Sequence, residues 1–444
     1  MKILSSNKRT LLSSVALVSL LLVYILAGCQ LMEGLGPAGN AKQPLDIQDL
    51  TATPPVITVP PEVTAAIDAE NLLTIWLPPQ FDPKDDSLAG KLLKARLESF
   101  QSINPGVVVN VRVKAVSGRG SLLDSLTTTS SVAPGALPAL IFLPKNDFEI
   151  AALKGVIFPI NGSTVPLDDP DWFPFTREMA EIQGVQYGIP FTSDPLVLAY
   201  RSSEVAFPPK TWQEVSQQGI ALSFPAADLQ SLIPLSMYIS AGGSLIDTEG
   251  KLSLQLETLI NINQIIYNGA NSGAFPYWST QLDTFENAWL PFSEGRSKMS
   301  VTWASVALNN PVENASIAPL PSYSSEPFTF VNGWLLCFPD SPSAERPSLA
   351  LQLAEYLMDP VFQQKWSEAA NLLPTRRSVL AAWEDQNKSS TLKTIAESAH
   401  SIPANEVLVR VGIILEETTI DLLKQQVDSE QAAAQAIQKI QAQD

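Results

Sequence analysis

From Leu72 to Lys154, short apolar runs rich in β-branched residues alternate with segments whose apolar residues recur every three or four positions. Leu72-Leu73-Thr74-Ile75-Trp76-Leu77 is one such run, and it stops at Pro78-Pro79, which cannot continue a strand ladder. Leu88 to Phe100 carries apolar residues at 88, 92, 93, 97 and 100, the spacing of one helix face. After the turn Asn104-Pro105-Gly106, the β-branched stretch Val107 to Val113 reads as a second strand. Ser121 to Thr128 reads as a helix, Leu137 to Leu143 as a third strand, and Phe148 to Lys154 as a helix closed by Gly155. Strands and helices alternating at these lengths predict parallel βαβ units with right-handed crossovers, hence an α/β fold.

Beyond Val185 the pattern changes. Leu196 to Tyr200 reads as a strand, and Thr211 as the N-cap of a helix with Glu214 at the capping-box position. Residues 221 to 310 read as helix-rich, Phe328 to Phe338 as a strand, Ser348 to Met358 as an amphipathic helix ending at Asp359-Pro360, and Glu416 to Gln443 as a helix. No internal repeat is evident.

The first residues address the compartment. Lys2, Lys8 and Arg9 precede an apolar stretch, Leu11 to Leu26, that leads into Leu26-Ala27-Gly28-Cys29. A charged start, a short apolar core and small residues at the cut are the parts of an export signal. The apolar core is at the short end of the about 20 residues that a membrane span needs. A cysteine at the cut resembles the bacterial lipoprotein signal, which implies that residues 1–28 are removed and that Cys29 carries the lipid. Residues 29–70, rich in Gly, Pro, Thr and Ala, read as a flexible tether. Lipidation of Cys29 leaves Cys337, in the apolar run Trp334 to Phe338, as a core residue, and a domain of this size holds without disulfides.

Acidic residues outnumber basic ones, 45 to 28, and the export segment holds no acids, so the mature chain is near −20. That argues against nucleic acid and against a polybasic membrane contact. The single histidine, His400, lies in a polar stretch and reads as a surface residue. One histidine argues against histidine triads and histidine-rich metal sites, so neither a cofactor nor a metal is expected.

A series of short motifs runs in order through the rest. It comprises Thr74-Ile75-Trp76, Phe100 to Val109 with its Asn104-Pro105-Gly106 turn, Tyr187 to Phe191, Pro208-Pro209-Lys210-Thr211-Trp212, Phe292 to Met299, Pro319-Leu320-Pro321, Asn332-Gly333-Trp334, Asp359-Pro360 and Leu373-Pro374-Thr375-Arg376. In order and spacing, from about Leu72 to Ser378, the series resembles the family 1 extracellular solute-binding proteins of ABC transporters, the maltose-binding-protein-like receptors. One departure is Pro138-Ala139 before the third strand, where that family carries Pro-Asp.

The resemblance implies a two-lobed periplasmic-binding-protein fold of type II, with discontinuous lobes joined by hinge crossovers. Residues 71–190 and 330–358 would form the first lobe, and 191–329 and 359–444 the second. Ligand would sit between them, and cleft closure would deliver it to the permease subunits of an ABC importer. The chain would work as a monomer, held outside the cytoplasm on the cell membrane by the lipid on Cys29, and would not be an enzyme. A carbohydrate ligand, as a mono- or oligosaccharide, wants aromatic faces for its C–H surfaces and side chains that donate to and accept from its hydroxyls. On that basis the expected contacts are Trp76, Asn146, Asp147, Phe191, Asp194, Trp303, Asn332, Trp334 and Arg376. Trp212 and Trp366 lie on amphipathic helices and read as packing, and Arg377 reads as solvated.

Other readings stay open on the residues alone. Gly118-Arg119-Gly120-Ser121 before a helix fits an anion nest, as a polyol phosphate would use, and a polyamine or peptide is a further alternative on the same fold. A surface glycosidase would need two carboxylates across a cleft, and 45 acidic residues permit such a pair. A receptor that feeds a sensor would look the same.

Overall fold

Three apolar runs of the N-terminal half become strands β1 (Leu72–Leu77), β2 (Val108–Val113) and β3 (Leu140–Pro144), and β1 pairs in parallel with both others. The computed structural model describes residues 72–160, 164–324, 326–339 and 345–443. The expected signal segment, Cys29 and the tether lie outside the described residues. The helix Leu88–Ile103 joins β1 to β2 and starts at Ser87, whose Oγ accepts from Gly90 N at 3.1 Å. It buries Leu93, Leu97 and Phe100 and leaves Lys91, Lys94 and Glu98 in water. The helix Leu122–Val132 joins β2 to β3 and is capped in the same way by Ser121. These are the expected parallel βαβ units.

The remaining strands are β4 (Glu181–Ile182) and β5 (Val185–Gln186), a separate hairpin, then β6 (Gly188–Arg201), β7 (Leu222–Ser223), β8 (Met299–Trp303), β9 (Ala315–Ala318), β10 (Thr329–Cys337), β11 (Leu373–Pro374) and β12 (Ala399–Ser401). The large sheet has the order β2-β1-β3-β10-β6-β8-β7, with β9 and β11 on β6 and β12 on β10. Strand β10 runs antiparallel to both of its neighbours, β3 and β6, β6 runs antiparallel to β8, and β7 and β8 restore a parallel pair.

At 14 residues, β6 is the longest strand, and it changes core along its length. Ile189 and Phe191 belong to a first core with Phe81, Phe142 and Trp366. Leu196 and Leu198 belong to a second, with Trp212, Tyr238 and residues of the helices Leu256–Ser272 and Asn405–Leu423. Val197 and Ala199 face a third, with Phe173, Phe175, Trp289 and Trp383. Strand β10 makes the same passage in reverse: Phe330 lies in the second core, Val331 in the third, and Leu335 to Cys337 in the first. Burial pushes the Cys337 thiol well above its ordinary range, which keeps it protonated and inert.

Past Asp359 the chain does not leave the first core at once. The helix Pro360–Ala370, expected in the second lobe, contributes Phe362 and Trp366 to the first core and packs on helix Leu88–Ile103. Pro360 stops the preceding helix, Asp359 Oδ1 caps the new one at Phe362 N (3.0 Å), and the chain stays on the first core until about Leu372. Trp366 meets Phe81 edge-on at 5.2 Å and Phe191 at 4.8 Å. Trp366→Ala is expected to lower the free energy of unfolding by about 3 to 5 kcal/mol, read as a lower urea midpoint at unchanged slope.

Candidate functional site

Strand register brings three distant segments, the ends of β3, β8 and β11, to the stretch where β6 and β10 pass between the cores. Pro144 at the end of β3 pairs with Trp334, Trp334 with Thr192, and Thr192 with Pro374. Further along, Asn332 pairs with Asp194, and Leu196 with Trp303 at the end of β8. Lys145-Asn146-Asp147 leave β3 just past Pro144, and Arg376 stands two residues past Pro374. Of the nine expected contacts, Trp334 lies in the row of Pro144, Trp334, Thr192 and Pro374, and Asn146, Asp147 and Arg376 follow its ends in sequence. Asp194 and Asn332 form the pair two residues along, and Trp303 stands opposite Leu196 two residues further. The carboxyl ends of strands, where open α/β sheets hold ligands, supply Asn146, Asp147 and Trp303.

Two partly exposed indoles bound the row. Trp334 is held edge-on by Phe81 at 5.3 Å, and Trp303 by Phe285 at 5.1 Å. Close approach of β6 and β10 demands glycine at 333: a Cβ there would stand 2.3 Å from Thr192 O and 2.9 Å from Met179 Sδ. Asn332 Oδ1 accepts from Gly333 N at 2.8 Å, so this side chain is folded onto its own backbone.

Asp194 has a structural bond set. Its carboxylate accepts from Ser305 N at 2.9 Å and Ser305 Oγ at 2.5 Å, which fixes the short helix Ala304–Asn309 that follows Trp303. Burial pushes its pKa up to about 7; the Ser305 bonds pull the other way, and Glu286 adds a smaller upward push. Burial likewise pushes Asp147 up to about 6. Asn146 O accepts from Asn405 Nδ2 at 2.8 Å, so the N-terminus of helix Asn405–Leu423 rests against this turn.

Three buried polar atoms beside the row have no hydrogen-bond partner among the described residues: Asn146 Oδ1, Thr192 Oγ1 and Arg376 Nε. They are an acceptor, a hydroxyl and a donor. Leaving such groups unpaired is costly, and a ligand that both donates and accepts relieves the cost. Thr192 was not among the expected contacts. The signal for it was the alternation within Phe191-Thr192-Ser193-Asp194, which puts Thr192 on the side of Asp194 once the run is read as a strand.

Two expected contacts fall elsewhere. Trp76 is 2% exposed within the first core, with Lys114 Nζ 4.3 Å above its ring. Phe191 is fully buried between Phe142 and Trp366. Trp76 lies in β1 and Phe191 in β6, and both rings pack into the first core, where close packing leaves them no exposed face. Arg377 is not simply solvated: its Nε and Nη2 each bond Glu397 at 2.7 Å. The glycine-rich nest has φ +80° at Gly118 and +79° at Gly120, but Gly120 N donates to Asp124 Oδ2 at 2.7 Å. The chain's own carboxylate takes the place an anion would occupy. A cavity of about 390 Å³ lined by Ala199, Trp289, Ile317 and Lys388 shares no residue with the row.

Residues 95–394 match the family model described as bacterial extracellular solute-binding protein. Among solved structures, the sugar-binding protein MalE from Xanthomonas citri is 19% identical, with a TM-score of 0.68 over 84% of this chain and 96% of that one. The cyclic α-maltosyl-1,6-maltose binding protein from Arthrobacter globiformis is 18% identical, with a TM-score of 0.66 over 84% and 98%. The GacH receptor of Streptomyces glaucescens, solved unliganded and with acarbose, is 18% identical, with a TM-score of 0.62 over 84% and 97%. At such identities the likeness shows the fold, which is the type II periplasmic-binding fold. No curated protein matches the sequence.

The raised pKa of Asp194 has a stability consequence. Between the ordinary aspartate value, about 3.9, and about 7, the folded state holds a proton there that the unfolded state has lost. Stability from this group is therefore full at acid pH and lost as pH rises through about 7. Asp194→Asn is expected to flatten the decline in unfolding free energy between pH 4 and pH 7, as measured by urea titration; an unchanged slope would assign the decline to other groups.

Proposed function

The chain belongs to the bacterial extracellular solute-binding protein family, and we propose that it is a receptor that holds a carbohydrate between its two lobes and delivers it to an ABC importer. Membership of that family places it outside the cytoplasm and among binding proteins. The observation that carries the sugar reading is the composition of the row: two indole faces, Trp303 and Trp334, beside the unpartnered Asn146 Oδ1, Thr192 Oγ1 and Arg376 Nε. Indole faces match the C–H surfaces of a pyranose, and a mixed set of donors and acceptors matches its hydroxyls. The fold neighbours named above are themselves described as sugar- or acarbose-binding. The occupied nest at Gly120 removes the feature that favoured a phosphate.

In this reading ligand bridges residues on both sides of the β6–β10 passage, so it binds the closed arrangement better than the open one and shifts the balance toward it. The expected contacts are Asn146, Asp147, Thr192, Trp303, Trp334 and Arg376. Asp194 acts from behind, through Ser305 and the segment that follows Trp303. The two lobes divide near Pro195 on β6, near Asn332 on β10 and near Leu373. The receptor works as a monomer.

Thermal unfolding of the full-length chain against mono- and oligosaccharides, polyol phosphates, amino acids and polyamines tests the proposal. A sugar present at 100 times its dissociation constant is expected to stabilise the fold by about 2.7 kcal/mol and to be recovered unchanged. Trp303→Ala is expected to weaken that sugar by about 1 to 3 kcal/mol. A sugar cleaved during the assay would replace the receptor with an enzyme, and a shift by phosphate or polyamine alone would replace the ligand class.

We further read Cys29 as the lipid-bearing residue and residues 29–70 as the spacer between membrane and domain. Among the described residues no helix is long and apolar enough to cross a membrane. Mass spectrometry of the membrane-bound protein is expected to find an acylated peptide beginning at Cys29, and Cys29→Ser to release the protein; a membrane-bound Cys29→Ser variant would refute the anchor.

A further inference from the structure

We infer that Trp172 is a positioning residue: it holds the guanidinium of Arg376 at the junction of the lobes, where that group donates to an oxygen of the bound sugar. The inference deepens the reading of the cleft given above and rests on it for the place of the ligand.

Two stretches of chain far apart in sequence run side by side here, joined by an antiparallel bridge between Trp172 and Arg376. Backbone bonds hold the pair on both sides. Phe173 N donates to Thr375 O at 3.1 Å, and Arg377 N to Asp171 O at 2.8 Å. The Asp171 carboxylate then takes Ser378 N at 2.8 Å and Ser378 Oγ at 2.6 Å, fixing the start of helix Arg377–Ala381. Arg377 is fully engaged, with Glu397 on two of its nitrogens and Pro170 O on a third at 2.6 Å. The backbone around Arg376 is therefore rigid whether or not its own side chain contributes.

That side chain behaves differently from its neighbour. Among the described residues it makes no hydrogen bond or ion pair, and its buried Nε has no partner. Its one marked contact is the face of Trp172, with the guanidinium carbon 4.6 Å from the ring centroid. Trp172 is 3% exposed, and its Nε1 donates to Pro166 O at 2.9 Å, so the ring cannot turn away. A guanidinium over an indole face is attracted to it and keeps its donors in a fixed fork.

The direction follows from the backbone. Arg376 is extended (φ −116°, ψ 139°), so it shares a side with Pro374, while Thr375 points the opposite way and donates to Pro190 O at 2.9 Å. Pro374 is the residue paired with Thr192 in the row that holds Trp334. A half-buried cation held over an indole, with a spare donor beside that row, fits an oxygen acceptor, whether a hydroxyl, a ring oxygen or a glycosidic oxygen.

The test follows the Arg376 Nε–Hε resonance in ¹⁵N-arginine-labelled full-length protein, with maltotetraose as the binding probe. Wild type and W172F are expected to share a ring-shifted signal that W172L loses. For maltotetraose, R376A and W172L are each expected to weaken binding about tenfold or more, W172F by no more than about threefold, and the double variant R376A/W172L no more than R376A alone. Additive losses, an affinity untouched by R376A, or an Arg376 resonance indifferent to W172L would each overturn the inference. Should W172L not fold, W172M, which also removes the ring, takes its place in both readouts. If neither maltotetraose nor any other sugar binds, the carbohydrate reading fails, and the resonance alone decides whether Trp172 holds Arg376.

Discussion

The backbone ladder between β6 and β10 is what every other part of the structure hangs on. It runs from Cys337 opposite Gly188 to Val331 opposite Pro195, and along it each strand leaves one hydrophobic core and enters others. Prolines lack the N–H that a ladder needs, and Pro195 stands where β6 gives up β10 and takes β8 and β9 as neighbours. Gly333 stands where β10 passes closest to β6 and to Met179. A side chain at 333 or an ordinary ladder residue at 195 would change how the cores are joined, and every site residue is placed by that joint.

The site inherits its composition from this arrangement. A single strand end cannot supply both ring faces and hydrogen-bonding groups without exposing its own core. Here β3, β6, β8, β10 and the segment after β11 each bring one or two residues to the same stretch. The polar groups divide by function. Asp194 and Asn332 are turned onto the protein, onto Ser305 and Gly333, and so stiffen the joint. Asn146, Thr192 and Arg376 keep an unpartnered atom. In the proposed cleft this division leaves the stiffening bonds in place when ligand departs.

The pair Arg376 and Arg377 shows how little a side chain's identity says about its work. The two are adjacent and chemically the same, yet Arg377 is held by Glu397 and the Pro170 carbonyl, while Arg376 lies over the face of Trp172 and makes no polar bond among the described residues. Alternation of an extended chain sends them to opposite sides, and the neighbours on each side do the rest. Trp172, which precedes β6, had no signal in the sequence because its partner Arg376 lies past β11.

Local pattern determined the elements that depend on nearby residues. The parallel units β1, β2 and β3 with their serine-capped helices, the start of helix Trp212–Gln218 at Thr211, and the buried Cys337 all follow from periodicity, capping chemistry and an unbroken apolar run. The order of motifs carried the family and the fold, and with them most of the residues that line the row. Tertiary structure alone decided which aromatic rings turn inward, as Trp76 and Phe191 do, and which core the helix after Asp359-Pro360 joins. It also decided which polar atoms are left without a partner. Those outcomes depend on volumes and hydrogen-bond partners contributed by segments distant in sequence, and a residue's neighbours along the chain hold no information about either.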